Sequence, residues 1–189
     1  MSSDRAKGFE RTYSIHFRDI ASYVVRRVPR DEVEVVVVNV FVVAWRRFER
    51  VPAPPDDRLW LFGLARRCVA EHTRSRARQG RLRAKLADEE FSVEATSSSA
   101  PDPRHDLVLT AMAKLKTLDR ECLQLVLWDE LSHADAAAVL GCSVNAFELR
   151  YQRARNRVRD DIDVSVDAST RPTPSALTDV PLTPKEATA

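Results

Sequence analysis

The stretch LSHADAAAVLGCSVNAFELRYQRARNRVR, residues 131–159, decides how the rest of the chain is read. Ser132 stands where a hydroxyl can accept from the unpaired amides of a helix's first turn, and the run to Leu140 contains no residue that would break one. Gly141 allows a tight turn, and Ser143 repeats the capping position for a second helix reaching about Asp160. Two helices on so short a turn form a helix-turn-helix. Ala136, Ala137 and Ala138 let them approach closely, with Val139, Leu140, Val144 and Phe147 closing the core between them. In this geometry the second helix is the reader: its first residues meet base edges in a major groove and the basic residues beyond them hold phosphates. Ser143 opens that surface, Asn145, Glu148 and Arg150 are the candidate base contacts, and Arg153, Arg155 and Arg157 the candidate phosphate contacts.

Working outward, residues 106–163 form one helical domain around this motif. Before it, residues 87–105 turn to Asp, Glu, Ser, Ala and Pro, a composition that marks a flexible linker, and residues 164–189 read as a disordered tail. Residues 1–86 form a second small domain. Phe9, Tyr13, Phe17, Ile20, Val24 and Val28 recur at three- and four-residue steps, the stripe of an amphipathic helix that Pro29 ends. The segment from Asp31 to Val51 contains Val35 to Val38, which favour strand by intrinsic propensity, but about twenty residues without a turn signal is a helix length. Pro52, Pro54 and Pro55 make a stiff loop, and Asp56 and Asp57 are placed to cap a long third helix. Trp60, Leu61, Leu64, Ala65, Cys68, Val69 and His72 share one of its faces, and its far end is almost wholly basic. The expected fold class is therefore all-α: two small helical domains on a flexible linker, the C-terminal one a helix-turn-helix.

Charge supports two contacts with one polyanion. The net charge is only +2, yet Arg66, Arg67, Arg74, Arg76, Arg78, Arg81, Arg83 and Lys85 are opposed locally by Glu71 alone, and Arg150 to Arg159 form a second basic cluster. Arginine forks suit phosphate and base edges better than lysine does. No glycine-rich phosphate loop occurs, and His16, His72, His105 and His133 lack metal-ligand spacing, so no catalytic residue, metal or cofactor is expected. The longest apolar run, Val35 to Trp45, is interrupted by Asn39 and far short of a bilayer span, and no secretory leader opens the chain; a cytoplasmic protein without membrane insertion is the expectation. Cys68, Cys122 and Cys142, odd in number and widely spaced, read as reduced structural thiols.

Residues 131–159, with FERTYSIHFRDIASYVVRRV, VFVVAWRRFERV and RLWLFGLARRCVAEHTRSRAR in the N-terminal half, resemble the extracytoplasmic-function (ECF) sigma factors of RNA polymerase. The resemblance covers most of the chain apart from linker and tail. It implies a C-terminal module reading the minus-thirty-five promoter element and an N-terminal module that binds the polymerase clamp and captures the minus-ten element as separated strands. Carried over by position, Phe41 and Trp45 are core aromatics, and Trp60, Leu61 and Ala65 the buried face of the next helix. The loop from Pro52 to Asp57 is where the family holds a flipped base. Arg66, Arg67, His72, Arg74 and Arg76 then follow strand and duplex phosphates, with His72 equally readable as a helix-packing residue and Trp60 as core before stacking platform.

The sequence departs from the family at two places. Polymerase docking falls on Val35, Val38 and Asn39, where the family usually carries acidic and amide groups; a valine surface there either binds an apolar partner or is buried by unusual packing. Glu148 stands where a basic or small polar residue is common. The partners implied are core RNA polymerase, promoter DNA and an anti-sigma factor. Two other readings stay open: a sigma-like decoy that sequesters an anti-sigma protein, and a stand-alone helix-turn-helix regulator.

Overall fold

Seven α-helices carry the residues described in the computed structural model, 2–86 and 103–170. In order they are α1 (Ser2–Val25), α2 (Val33–Arg46), α3 (Asp56–Leu86), α4 (Pro103–Ala113), α5 (Thr117–Leu127), α6 (His133–Leu140) and α7 (Val144–Thr170). Short 3-10 turns, Arg30–Glu32 and Phe48–Arg50, precede and follow α2. The first three helices pack on one another, and the last four form a second unit in which α7 lies against α4, α5 and α6.

The valine run is helix. Its β-branched side chains carry a propensity cost of only tenths of a kcal/mol each, and burial of one face outweighs that. Val36, Val37, Val40, Phe41 and Ala44 turn into the N-terminal core beside Ile20, Tyr23, Val24, Leu61, Phe62 and Ala65, whereas Val35 and Val38 remain 65% and 55% exposed. The four valines thus divide between two faces, as a period of 3.6 requires. Trp45 departs from the expected core: it lies at the rim of the domain under Arg5, whose guanidinium sits 4.8 Å over the ring, and edge-on to Phe9 at 5.1 Å. Core space beside α1 is taken instead by Phe41, packed against Tyr13 and Phe17.

Several boundaries differ from the sequence reading. Helix α1 begins at Ser2 and ends at Val25, short of Val28, and α2 fills only Val33–Arg46 of the segment 31–51. Helix α4 begins at Pro103, inside the stretch assigned to the linker, and α7 continues to Thr170, so residues 164–170 are helical where a disordered tail was expected. The rest of both segments, 87–102 and 171–189, lies outside the described residues.

Candidate nucleic-acid interface

The turn between α6 and α7 is built from capping bonds. Ser132 Oγ accepts from the Asp135 amide at 3.1 Å while its hydroxyl donates to the Asp135 carboxylate at 2.7 Å. Gly141 adopts the left-handed conformation at φ 71°, which a residue with a Cβ enters only under strain. Its amide bonds Ala138 O at 3.2 Å and the Cys142 amide bonds Ala137 O at 3.0 Å, the paired closure of a Schellman motif. Ser143 Oγ then accepts from the Ala146 amide and starts α7. Ala136, Ala137, Val139 and Phe147 are buried, and so is Ala154, which packs with Met112, Leu115 and Leu123. Val144 and Ala138 are not: both are exposed, Ala138 on the side of α6 that looks toward α3.

Every proposed reader residue of α7 is exposed: Ser143, Asn145, Glu148, Arg150, Arg153, Arg155 and Arg157. At 100° per residue they form two stripes. Asn145, Glu148 and Arg155 lie on one side. Arg150, Arg153 and Arg157 lie on the other, along a groove of about 640 Å³ that α5 completes with Lys116, Thr117 and Asp119. Arg150 therefore shares a side of the helix with Arg153 and Arg157 rather than with Asn145 and Glu148. Two residues already have protein partners. Arg157 Nη1 donates to Asp119 Oδ2 at 2.7 Å, clamping α7 to α5, and Glu148 Oε1 lies 3.7 Å from His133 Nδ1. The His133 ring packs against Tyr151 and Phe147 and so ties the first turn of α6 to α7.

A second basic site surrounds the loop after α2. Its anchor is a pair that sequence reading missed: His16 Nε2 and Asp57 Oδ2, 3.0 Å apart and both buried. Asp57 also accepts from the Arg58 amide, so it ties the start of α3 to α1 and fixes the proline loop between them. His16 falls within the apolar stripe of α1 between Tyr13 and Ile20, the one available sign that its ring points inward. A cleft of about 600 Å³ opens beside this loop, lined by Arg47, Arg50, Pro52, Asp56, Trp60, Arg66 and Arg67. None of those four arginines pairs with a carboxylate among the described residues. Trp60 is half-buried in the wall, whereas Leu61 and Ala65 are core.

The expected patch on α3 is therefore split. Arg66 and Arg67 belong to the cleft, joined by Arg47 and Arg50 from the segment that follows α2. His72, Arg74 and Arg76 sit further along and are occupied: His72 Nε2 is 2.7 Å from Glu32 Oε2, Arg76 Nε is 3.4 Å from Glu32 Oε1, and Arg74 Nε donates to Ala70 O. The His72 contact ties α3 to the turn before α2. Among the described residues no group of three or more His, Cys, Asp or Glu could hold a metal ion, and no helix is long and apolar enough to cross a membrane.

The cysteines do not behave alike. Cys68 and Cys122 are buried, and burial pushes both thiols up, Cys122 to about 11; Cys142, in the turn before α7, is exposed and departs from the expectation of a buried thiol. Thiolate is the reacting form. Iodoacetamide at pH 8 should add one carbamidomethyl group to the native protein, at Cys142, and three after unfolding, read by intact mass and peptide mapping. Rapid native modification of Cys122 would contradict the packing of α5.

A model of the family described as Sigma-70, region 4, matches residues 105–158, the helices α4 to α7. The chain is 34% identical over 124 residues to the ECF RNA polymerase sigma factor SigC of Mycobacterium tuberculosis, a match covering 65% of this chain and 66% of that protein. With the RNA polymerase sigma factor CnrH of Cupriavidus metallidurans it shares 31% identity over 146 residues, 72% of this chain and 76% of CnrH. The solved structure of CnrH in complex with the cytosolic domain of CnrY superposes with a TM-score of 0.59 at 25% identity, covering 87% of this chain and 91% of that one. The fold is also that of RpoE from Bartonella quintana, solved in complex with the anti-sigma factor NepR: TM-score 0.65, 22% identity, 84% of this chain and 98% of RpoE.

Proposed function

The chain belongs to the ECF sigma factors of RNA polymerase, and from that premise we propose that it binds core RNA polymerase and directs promoter-specific initiation through two DNA-reading surfaces. The carrying observation is the pairing of an exposed, capped reader helix with a separate cleft of four unpaired arginines at the proline loop. A duplex suits the first, since Asn145 and Glu148 project from one side of the start of α7 toward base edges and Arg150 and Arg153, on its other side, are free for phosphates. A separated strand suits the second, where guanidinium groups can follow phosphates and Trp60 offers a ring edge beside a rigid loop. Arg74, Arg76 and His72 contribute less, because Glu32 and the α3 backbone hold them.

The protein supplies affinity and position, and the polymerase does the chemistry. That places its work in the cytoplasm with the polymerase. An anti-sigma partner is part of the same reading, supported by the relatives solved with NepR and with CnrY. Docking on the polymerase clamp falls to the exposed Val35, Val38 and Asn39 of α2, a surface that is apolar where the family is polar. That surface is also the one observation favouring a decoy that binds anti-sigma protein without serving the polymerase.

Run-off transcription separates the two readings. Purified chain and core polymerase on a promoter library should give promoter-dependent transcripts, and Arg150→Ala with Arg153→Ala should lower their yield at least tenfold. Transcripts that appear only when Val35, Val38 and Asn39 are replaced by acidic and amide residues would establish the decoy. Absence of transcripts from both proteins would remove the sigma reading.

A further inference from the structure

The outer ridge of α7 is polar at both ends and apolar in the middle. Phe147 and Ala154 are buried on one side of the helix, and the residues opposite them are Asn145, Leu149 and Gln152. At 100° per residue, Leu149 falls about 40° to one side of Asn145 and Gln152 about 20° to the other. Glu148 and Arg153 flank the ridge. All three ridge residues are exposed, Leu149 by 54%, although α4, α5 and α6 all pack on α7. Neither ridge amide side chain has a partner among the described residues.

Leu149 contributes nothing to the core of its module, and its neighbours say what it suits. Along the groove that α5 completes, Lys116, Arg150, Arg153 and Arg157 surround Leu149 and Leu118. A face for docking protein is a continuous apolar patch of about several hundred Å². Two leucines among four cations are instead matched to a polyanion that carries an isolated apolar group. Duplex DNA has that pattern: phosphates line the rim of the major groove, and the thymine C5 methyl stands on its floor. The amide side chains on either side of Leu149 suit adenine, which offers an N6 donor and an N7 acceptor. The spacing agrees as well. Seven residues from Asn145 to Gln152 rise about 10 Å along the helix, and three base pairs occupy about 10 Å of duplex.

We propose that Leu149 and Gln152 are specificity-determining residues: Leu149 packs on a thymine methyl, and Gln152 pairs with a neighbouring adenine, its Nε2 donating to N7 and its Oε1 accepting from N6. The promoter element that this chain selects therefore contains thymine and adenine within about three base pairs. The inference deepens the proposed reading of α7 as a duplex reader and rests on it. Arg150, which sequence spacing put among the base contacts, lies across the helix and leaves the centre of the ridge to these two side chains.

The test lets the full chain, with and without core polymerase, select from a duplex library carrying a randomised segment, and then titrates the enriched duplex. Replacing one thymine by uracil removes a single methyl group. At one position this should weaken binding about fourfold, the factor that burying one methyl supplies. The same replacement should leave Leu149→Ala unaffected, because that variant has already lost the contact. Replacing one adenine by 7-deazaadenine, which lacks the N7 acceptor, should weaken the unmodified protein about tenfold and leave Gln152→Ala unaffected. Both side chains are exposed, so circular dichroism should show both variants folded. An enriched element without thymine, no enriched element in either mixture, or no effect of uracil at any thymine overturns the proposal. So does sensitivity to the altered base that persists in the matching variant. Loss of polymerase co-purification by Leu149→Ala with base preferences unchanged overturns it in favour of protein docking. An enriched duplex with the expected sensitivities, bound by a chain that gives no transcripts in the run-off assay, supports the base reading and removes the sigma reading, so the two fail separately.

Discussion

Truncating Phe147 to alanine is expected to leave the C-terminal module largely unfolded at 37 °C while α1 to α3 persist. The ring is fully buried in the first turns of α7, between α6 and the Tyr151 side chain, with the His133 ring 5.5 Å away. Removing a buried phenyl ring costs about 3–5 kcal/mol. A module of this size has a total stability of only about 3–10 kcal/mol at the usual ~0.05–0.15 kcal/mol per residue. The truncation therefore removes from about a third to all of what holds α4 to α7 together. Phe147 shares one buried cluster with Ile20, Val24, Val36, Val40, Leu61 and Phe62, but those six pack α1, α2 and α3 on one another, so the N-terminal module should survive. Hydrogen exchange gives the readout: amides of α5 to α7 should lose protection, and those of α1 to α3 should keep it. Equal loss in both halves would show that the interface makes the chain a single cooperative unit.

The helix-turn-helix was legible because its determinants are local. Ser132, Gly141 and Ser143 act on amides within a turn of themselves, so their spacing carries the geometry, and the observed bonds are the ones that spacing implies. The valine run was harder. Propensity pointed to strand and length to helix, and the outcome was set by burial against α1 and α3, which no local window contains. The ends of α4 and α7 escaped for a related reason: Ser, Asp and Pro read as linker or tail, yet Pro is well tolerated in a helix's first turn, where Pro103 stands.

Function was legible as a class of surface and less so as a set of residues. Basic composition found α3 and α7 but could not tell a free guanidinium from one already paired. Arg76 and Arg157 proved to be held by Glu32 and Asp119, whereas Arg47 and Arg50 came into the cleft from the end of a different helix. Least visible was the contact between the two halves. Arg27 and Glu121 are far apart in sequence and sit in no recognisable pattern, and the buried apolar cluster that runs from Ile20 and Leu61 to Leu125, Ala136 and Phe147 joins residues that no local window contains.

The second large effect separates the two faces of α2. Val40→Asp should abolish folding of the N-terminal module, and Val38→Asp should leave it intact. Val40 is fully buried in the core between α1 and α3, and a carboxylate there has no cationic partner within its helix turn, since the nearest groups are Val36, Val37, Phe41 and Ala44. An unpaired buried charge costs several kcal/mol even after the surroundings relax, enough to exceed the module's stability. Val38, two residues earlier and more than half exposed, keeps its new charge in water, where substitutions usually shift stability by less than about 0.5 kcal/mol. Circular dichroism melts distinguish the outcomes directly. Because Val38→Asp folds, it also isolates docking. If α2 binds the polymerase through apolar contact, the new charge should cut co-purification with core enzyme severalfold, since a desolvated carboxylate must then face an apolar partner. If the clamp instead prefers the acidic surface common in the family, the same substitution should strengthen it. The sign of that change decides whether Val35 and Val38 are this chain's own docking chemistry or a departure that weakens it.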